Sequence, residues 1–506
     1  MTCPQTLAPA PSETAVRRAA LGVLMPGFDG TDVPAWLEQP LRDGLGGVCL
    51  FAVNTPDLAT TRRLTGRLRE LGPQVCITVD EEGGDVTRLQ RRHGSDLPGS
   101  AALGAVDDLE LTRQVGEATG RLVRAAGIDV TLAPCVDVAS NPANPVIGTR
   151  SFGPDASLVG RHAVAWVRGL HAAGVAGCAK HFPGHGDTSV DSHVGMPVID
   201  LDEATLASRE LAPFVALAPL VDAVMPGHII VPRLGADPAS TSAWAYDRIR
   251  AMGFVGPTIT DALDMGAITA DPTADPSSGE DERIGAAVVR ALRAGADLCC
   301  LGAPMNGDQQ AALAASVAAI ERAVEEGRLR LHRLQVSASR VRSMLGLAHQ
   351  RLLETPAVDP ATAEDGLPEL GLEVARRALL TRGSVLLPEG ARPVLVELGQ
   401  GFNAAAGRFS SGVGDALDRA LGEPVDRRDL DLVEPDDVVV AVSRDGSSVA
   451  ATLVAELLGR CPHAVVVHVG MQQSAPDVPH LVLAHGAGRS NTRAAVEALL
   501  GRRIVW

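Results

Sequence analysis

No apolar run in these 506 residues approaches the roughly 18 consecutive residues that a membrane-spanning helix needs. No membrane partner is therefore expected. Residues 1–12 are rich in Pro and Ala and have neither a basic start nor an apolar signal core. They read as a loose tail, with a cytoplasmic protein as the expectation. The eight cysteines include no CxxC and no pairing pattern, so reduced thiols are expected. Cys49, Cys76, Cys178, Cys299 and Cys300 fall in apolar runs, where Cys acts as a small buried hydrophobe. Positive charge is in deficit: 45 Lys and Arg stand against 61 Asp and Glu, a net charge of −16. Such a balance argues against nucleic acid or an anionic membrane surface as the main partner. There is no internal repeat and no low-complexity tract.

What is present is alternation. Short apolar runs at 21–25, 48–51, 75–80, 130–134, 175–180, 223–225, 258–261 and 298–301 are separated by amphipathic segments such as 108–126 and 283–294. Eight near-continuous apolar strands with helices between them predict a parallel sheet closed into a (β/α)8 TIM-type barrel. The doubly wound alternative would need a glycine-rich phosphate loop after the first strand, and Pro26-Gly27-Phe28-Asp29-Gly30 matches poorly. Long helices are expected at 311–327 and 331–347, then a polar, acidic, Pro-containing linker. Strands at 385–387, 394–398, 438–442, 464–469 and 481–484, with helices at 449–458 and 492–500, predict a smaller α/β sandwich domain. The expected division is a tail at 1–15, a catalytic barrel at 16–350, a linker at 351–368 and the second domain at 369–506.

The polar residues mark one end of the barrel. Asp80, Asp137, Lys180, His181, His228 and Asp261 all end a strand or lie just beyond it, on the rim where barrels carry their chemistry. The densest stretch is Lys180-His181-Phe182-Pro183-Gly184-His185-Gly186-Asp187-Thr188-Ser189-Val190-Asp191-Ser192-His193, too rich in titratable groups for a mere connection. In an extended Asp191-Ser192-His193 the two outer side chains point the same way, so Asp191 would orient His193 as a general acid/base. The bland alternative is a surface Asp–His pair. Asp261 is placed as a nucleophile or electrostatic stabiliser, its alternative being a helix N-cap, which Asp264 fits better. Lys180, His181, Asp80 and Arg88 offer charged donors and acceptors that suit a polyhydroxylated ligand. For Arg88 the alternative is a surface ion pair with Glu81 or Glu82, and for Arg150 a surface ion pair as well. His181, His185, Asp187, Asp191 and His193 have the types of metal ligands, making a metal-dependent hydrolase a rival reading. All come from one loop, whereas such sites draw ligands from several strands.

Five segments in this order carry a resemblance: V-D-E-E-G-G-D-V-T-R-L, P-A-N-P-V-I-G-T-R-S-F-G, K-H-F-P-G-H-G-D-T-S-V-D-S-H, V-M-P-G-H and I-T-D-A-L-D-M-G-A-I. They resemble glycoside hydrolase family 3, in its bacterial β-N-acetylglucosaminidase branch. The resemblance implies an exo-acting, retaining β-glycosidase in which Asp261 forms a covalent glycosyl-enzyme. His193, assisted by Asp191, would protonate the leaving oxygen, replacing the usual carboxylic acid. It further implies that Asp80, Arg150, Lys180 and His181 hold sugar hydroxyls and that Arg88 is a further subsite arginine. One departure is Asp85, where the hydrolases of this branch usually have Arg; a positive charge beside the sugar pocket is thereby expected to be missing.

Some members with the Asp–His pair are phosphorylases. A glutamate base would repel incoming phosphate and His would not, which tips the expectation toward inorganic phosphate as acceptor, with water as the alternative. The expected substrates are β-glucosides or β-N-acetylglucosaminides, yielding α-sugar 1-phosphate with phosphate as acceptor or free sugar with water. No metal or organic cofactor is expected. A homodimer, if one forms, is expected through the second domain.

Overall fold

The computed structural model describes residues 12–192, 195–269, 279–398, 402–403, 407–408, 411–444 and 446–504. Its first domain is built on β1 (Leu24–Pro26), β2 (Gly47–Leu50), β3 (Cys76–Val79), β4 (Val130–Thr131), β5 (Ala176–Phe182), β6 (Ala223–Pro226) and β7 (Cys299–Gly302). Strands β2 to β6 pair in sequence order, all parallel, and β1 pairs in parallel with β7. The expected strand at 258–261 is reduced to two bridged residues, Thr258 to Val224 and Ile259 to Leu298. These lie between β6 and β7, and Gly46 N–H donating to Leu21 O at 2.9 Å links the β1 side to the β2 side. The ring is a (β/α)8 barrel.

Side chains alternate across the strands, as period-two geometry requires. Met25, Cys49, Cys76, Cys178 and Cys300 face the barrel interior, while Val48, Leu50, Ile77, Val79 and Cys299 pack outward on the helices. The adjacent Cys299 and Cys300 thus belong to different cores, and both are free thiols. Val341, Met344, Leu345 and Ala348 of the helix Leu331–Glu354 close the interior from one end. Helices begin where short polar caps allow: Asp108 accepts from Glu110 N and Leu111 N at the start of Leu109–Ala125, and Asp155 from Leu158 N at the start of Ala156–Ala172.

Buried carboxylates precede several strands and tie that lower rim to arginines. Asp129 pairs with Arg69 at 2.5 Å, Asp222 with Arg351 at 2.7 Å, and Asp297 with Arg250, Arg333 and Arg340. They lie at the end of the barrel opposite the chemistry and serve its cohesion.

The second domain holds β8 (Leu380–Arg382), β9 (Val394–Glu397), a short antiparallel pair β10 (Phe402–Asn403) and β11 (Gly407–Arg408), then β12 (Asp426–Arg427), β13 (Val439–Ser443), β14 (Val465–His468) and β15 (Leu481–Leu483). Its six-stranded sheet runs β12-β9-β13-β14-β15-β8, parallel except for β8 at the edge. Helices Leu367–Ala378, Val413–Leu421, Ser448–Arg460 and Arg489–Leu500 accompany it, and separate apolar clusters fill its two sides.

Three expectations need correction. Residues 385–387 are not a strand: the edge strand is β8, whose three residues are all exposed and so show no apolar signal. The linker expected from residue 351 begins later, because the preceding helix runs to Glu354. Of the expected tail, residues 1–11 lie outside the described residues and a helix already starts at Glu13, capped by Ser12. Among the described residues no helix is long and apolar enough to cross a membrane.

Candidate active site

A cavity of about 490 Å³ opens at the C-terminal rim of the barrel, of a size that suits a small ligand. Asp80, Glu82, Arg88, Arg150, Lys180, His181 and Asp261 all line it, together with His185 and Ser192 of the loop after β5. The residues expected from sequence to bind a sugar and the expected nucleophile therefore share one wall-to-wall space.

The centre of the site is Lys180. Its Nζ lies 2.7 Å from Asp80 Oδ1 and 2.7 Å from Glu82 Oε1. Glu82 in turn is gripped at both oxygens by Arg150, whose Nε donates at 3.0 Å and Nη2 at 2.8 Å. This fork-on-carboxylate geometry is the strong form of an ion pair. Arg88 Nη2 stands 3.6 Å from Asp80 Oδ2. Burial raises the cost of every charge here, yet Arg150 and Lys180 outweigh it and hold Glu82 well below the usual carboxylate range. Lys180 and Arg88 likewise keep Asp80 low against its burial. Burial works against Lys180 too, but Asp80 and Glu82 keep its ammonium above the ordinary range. The cluster is a fixed array of ionised donors and acceptors, suited to hydroxyl groups.

The surface pairings weighed for these arginines are not what forms. Arg150 and Glu82 have side chains only 5% exposed. Arg88 reaches Asp80, while Glu81 Oε2 accepts from the backbone N–H groups of Arg88 and Leu89, each at 2.9 Å. Glu82 is the residue sequence reasoning passed over. The signal was available: in an extended segment, Asp80 and Glu82 are two apart and point the same way.

Asp137 organises the loop after β5. Its Oδ1 accepts from the backbone N–H groups of His181 at 3.1 Å and His185 at 2.7 Å. Its Oδ2 accepts from His181 Nδ1 at 2.7 Å and from Cys135 Sγ at 3.1 Å. With Asp137 taking the hydrogen on Nδ1, His181 Nε2 faces Arg150 Nη2 at 3.4 Å as an acceptor. Burial, with His181 adding to it, drives the His185 imidazole down to about 4, so it is neutral at ordinary pH. His185 Nδ1 meets Thr188 Oγ1 at 2.7 Å and Nε2 meets Ser192 Oγ at 3.3 Å, and Asn144 Nδ2 donates to the carbonyl oxygens of His185 and Thr188. Among the described residues the metal-capable group is Cys135, Asp137 and His181. It is not the single-loop set considered above, and here the Cys135 thiol is a donor whose pKa burial raises far above its usual value.

Asp261 follows the bridged residues Thr258 and Ile259, and its Oδ1 accepts from Ala262 N–H at 2.9 Å. His228 supports this turn: its Nε2 donates to Ala262 O at 2.7 Å, which leaves Nδ1 to accept from Ser240 Oγ at 2.7 Å. Asp264 Oδ2 accepts from Ala303 N–H at 2.8 Å and Asn306 Nδ2 at 3.0 Å, pinning the loop after β7.

Gly195 N–H donates to Asp191 O at 3.0 Å. His193, which Asp191 is expected to orient, lies outside the described residues. Asp85 does not line the cavity. It is turned toward the second domain, where Arg444 Nη2 meets its Oδ2 at 2.7 Å.

A parallel barrel with an ionised carboxylate–cation cluster lining a cavity on its C-terminal rim has the build of a barrel enzyme that holds a small polar ligand. The chain belongs to glycosyl hydrolase family 3, whose N-terminal domain matches residues 29–344. It is 36% identical over 266 residues to beta-hexosaminidase A of Pseudoalteromonas piscicida, a match covering 47% of this chain and 44% of that one, so less than half of that relative's length is represented. The solved family 3 beta-N-acetylglucosaminidase of Paenibacillus sp. str. FPU-7 is 29% identical with a TM-score of 0.81, covering 97% of each chain. A beta-glucoside phosphorylase superposes with a TM-score of 0.74 over 97% of this chain and 95% of its own; at 19% identity this likeness concerns the fold alone.

Proposed function

We propose that this protein hydrolyses terminal β-N-acetylglucosaminides with retention of configuration, Asp261 acting as nucleophile and His193, assisted by Asp191, as acid/base. The observation that carries this reading is the sharing of one cavity by Asp261, the Asp80–Lys180–Glu82–Arg150 cluster and Ser192, the neighbour of His193. A sugar held by the cluster would bring its anomeric carbon to the Asp261 carboxylate. Attack forms the glycosyl–aspartate bond and breaks the glycosidic C–O bond, whose oxygen takes a proton from His193. Water then returns a proton to His193 as its oxygen attacks, freeing the sugar and the Asp261 carboxylate.

Water, and not the phosphate expected from sequence, is the acceptor we favour. The Paenibacillus enzyme, similar over both domains, is a beta-N-acetylglucosaminidase, whereas the phosphorylase is too distant to speak to more than fold. Phosphorolysis stays as the second reading because Arg91 lines the same cavity near Arg88, and burial together with Arg88 lowers its pKa.

The test is cleavage of aryl β-N-acetylglucosaminide and aryl β-glucoside, each with and without millimolar phosphate, with the sugar product identified. Free N-acetylglucosamine released at a phosphate-independent rate is the expected result. A large acceleration with α-sugar 1-phosphate as product would replace hydrolysis by phosphorolysis.

A further inference from the structure

Among the described residues, the cavity is lined from Cys49 to Asn306, all within the barrel. The second domain therefore contributes nothing to its wall there, and yet it is bound to the segments that do. The join is Asp85. Its side chain is 3% exposed. Oδ2 accepts from Thr149 Oγ1 at 2.8 Å and from Arg444 Nη2 at 2.7 Å, and Oδ1 accepts from Ala487 N–H at 2.8 Å.

The position of these partners is what matters. Asp85 lies in the same short stretch as Asp80, Glu82 and Arg88, and Thr149 immediately precedes Arg150. One carboxylate thus ties together two of the three barrel segments whose side chains form the ionic cluster, the third being β5 with Lys180, and fastens both to the second domain. The backbone agrees. Gly84 has φ +57, and a Cβ built on it would meet Gly99 N at 2.5 Å, so the turn admits no side chain. A Cβ on Gly488 would stand 3.2 Å from Gly84 Cα, which puts the second-domain loop directly on that turn. Beside it, Arg489 N–H donates to Ser95 O at 3.0 Å and Arg489 Nη1 meets Asp96 Oδ1 at 3.0 Å. A carboxylate this buried needs a facing cation, and Arg444 arrives only with the second domain.

We infer that Asp85 is a positioning residue through which the second domain, by way of Arg444, sets the geometry of the sugar-holding cluster. The inference rests on the glycosidase reading above. It explains why an acidic residue is tolerated where a positive one was expected: Asp85 serves the domain junction and not the ligand.

The experiment compares kinetics of full-length variants on aryl β-N-acetylglucosaminide, with thermal unfolding in parallel. Loosening the cluster weakens ground-state and transition-state binding alike, so Arg444→Ala should raise KM about tenfold with kcat changed less than about threefold. Asp85→Asn, which keeps the shape and loses the charge, should do the same, and Arg444→Lys should recover most of the loss. Arg377→Ala, which removes a more exposed pair with Asp108 at 3.0 Å across the same two domains, should leave KM unaltered. The inference is overturned if Arg444→Ala and Asp85→Asn keep KM within about twofold of wild type, or if only the unfolding temperature moves. Failure of the wild type to cleave either aryl glycoside would instead overturn the glycosidase reading, and the positioning role falls with it.

Discussion

Lys180 sets the charge state of the site, since a single ammonium separates the buried Glu82 carboxylate from the partly exposed Asp80 carboxylate. Replacing it by Ala leaves Asp80 and Glu82 facing each other without that cation, an arrangement that costs about 3–5 kcal/mol when one partner of a buried pair is removed. Lys180→Ala should therefore lower the unfolding temperature as well as abolish sugar binding, and a variant as stable as wild type would contradict the buried cluster. The sign of the pH effect follows. Asp80 has a folded pKa below its unfolded value, so its contribution is present above the unfolded pKa and is lost as pH falls through the folded one. Asp261→Ala should eliminate labelling by a 2-fluoro glycosyl probe, detected by intact mass, and reduce turnover by on the order of 10⁴–10⁶, as removal of a nucleophile does elsewhere. Retained labelling would assign the nucleophile to another residue.

At the scale of elements, the loop after β5 rests on an irregular helical turn. Residues Leu206–Glu210 form one turn of π-helix, a distortion often found at functional sites. It aims Glu210 inward, fully buried, against Gly184, where an added Cβ would collide with Glu210 Oε2. Arg209 Nε holds Glu210 Oε1 at 2.7 Å, and Arg209 Nη2 reaches Asp187 Oδ2 at 3.2 Å. Burial pushes the Glu210 carboxyl up to about 7 against the pull of Arg209, with Asp137 and Asp187 adding to the rise. Here the folded state holds a proton that the unfolded state releases, so stability should fall as pH rises from about 4.5 to 7. Glu210→Gln should flatten that slope in unfolding temperature measured across this window. An unchanged slope would show that Glu210 does not cause it. The π-turn was not legible beforehand, because Leu206 to Glu210 carries nothing in its spacing to distinguish it from an ordinary helix.

At the scale of the molecule, the barrel was legible and the second domain only partly so. Parallel strands buried on both faces read as apolar runs, and seven of the eight expected ones pair as named strands. The exposed edge strand Leu380–Arg382 has no such run and was missed, while buried Val385 drew the expectation to the wrong place. The rim also separates by chain position. Carboxylates before strands, such as Asp129 and Asp222, bind arginines that hold the fold together, whereas Asp80 and Asp261, after strands, line the cavity. No step of the proposed reaction uses a metal, so treatment with a strong chelator should leave aryl-glycoside turnover unchanged. Loss of activity restored by a divalent cation would favour metal chemistry at Cys135, Asp137 and His181 instead.

Sequence by itself determined the barrel, the rim on which chemistry sits and the five segments that mark the family, because hydrophobic period and order along the chain are local properties. It also placed Asp80, Arg88, Arg150, Lys180, His181 and Asp261 in one site. Only the tertiary structure decided how those charges pair, since Glu82 meets Arg150 across 68 positions of chain and Lys180 meets Asp80 across 100. The same holds for Asp85, which local sequence puts beside the sugar and the fold turns toward Arg444, 359 positions away. Pairing at that separation is set by which surfaces pack, and packing is not written in any short stretch.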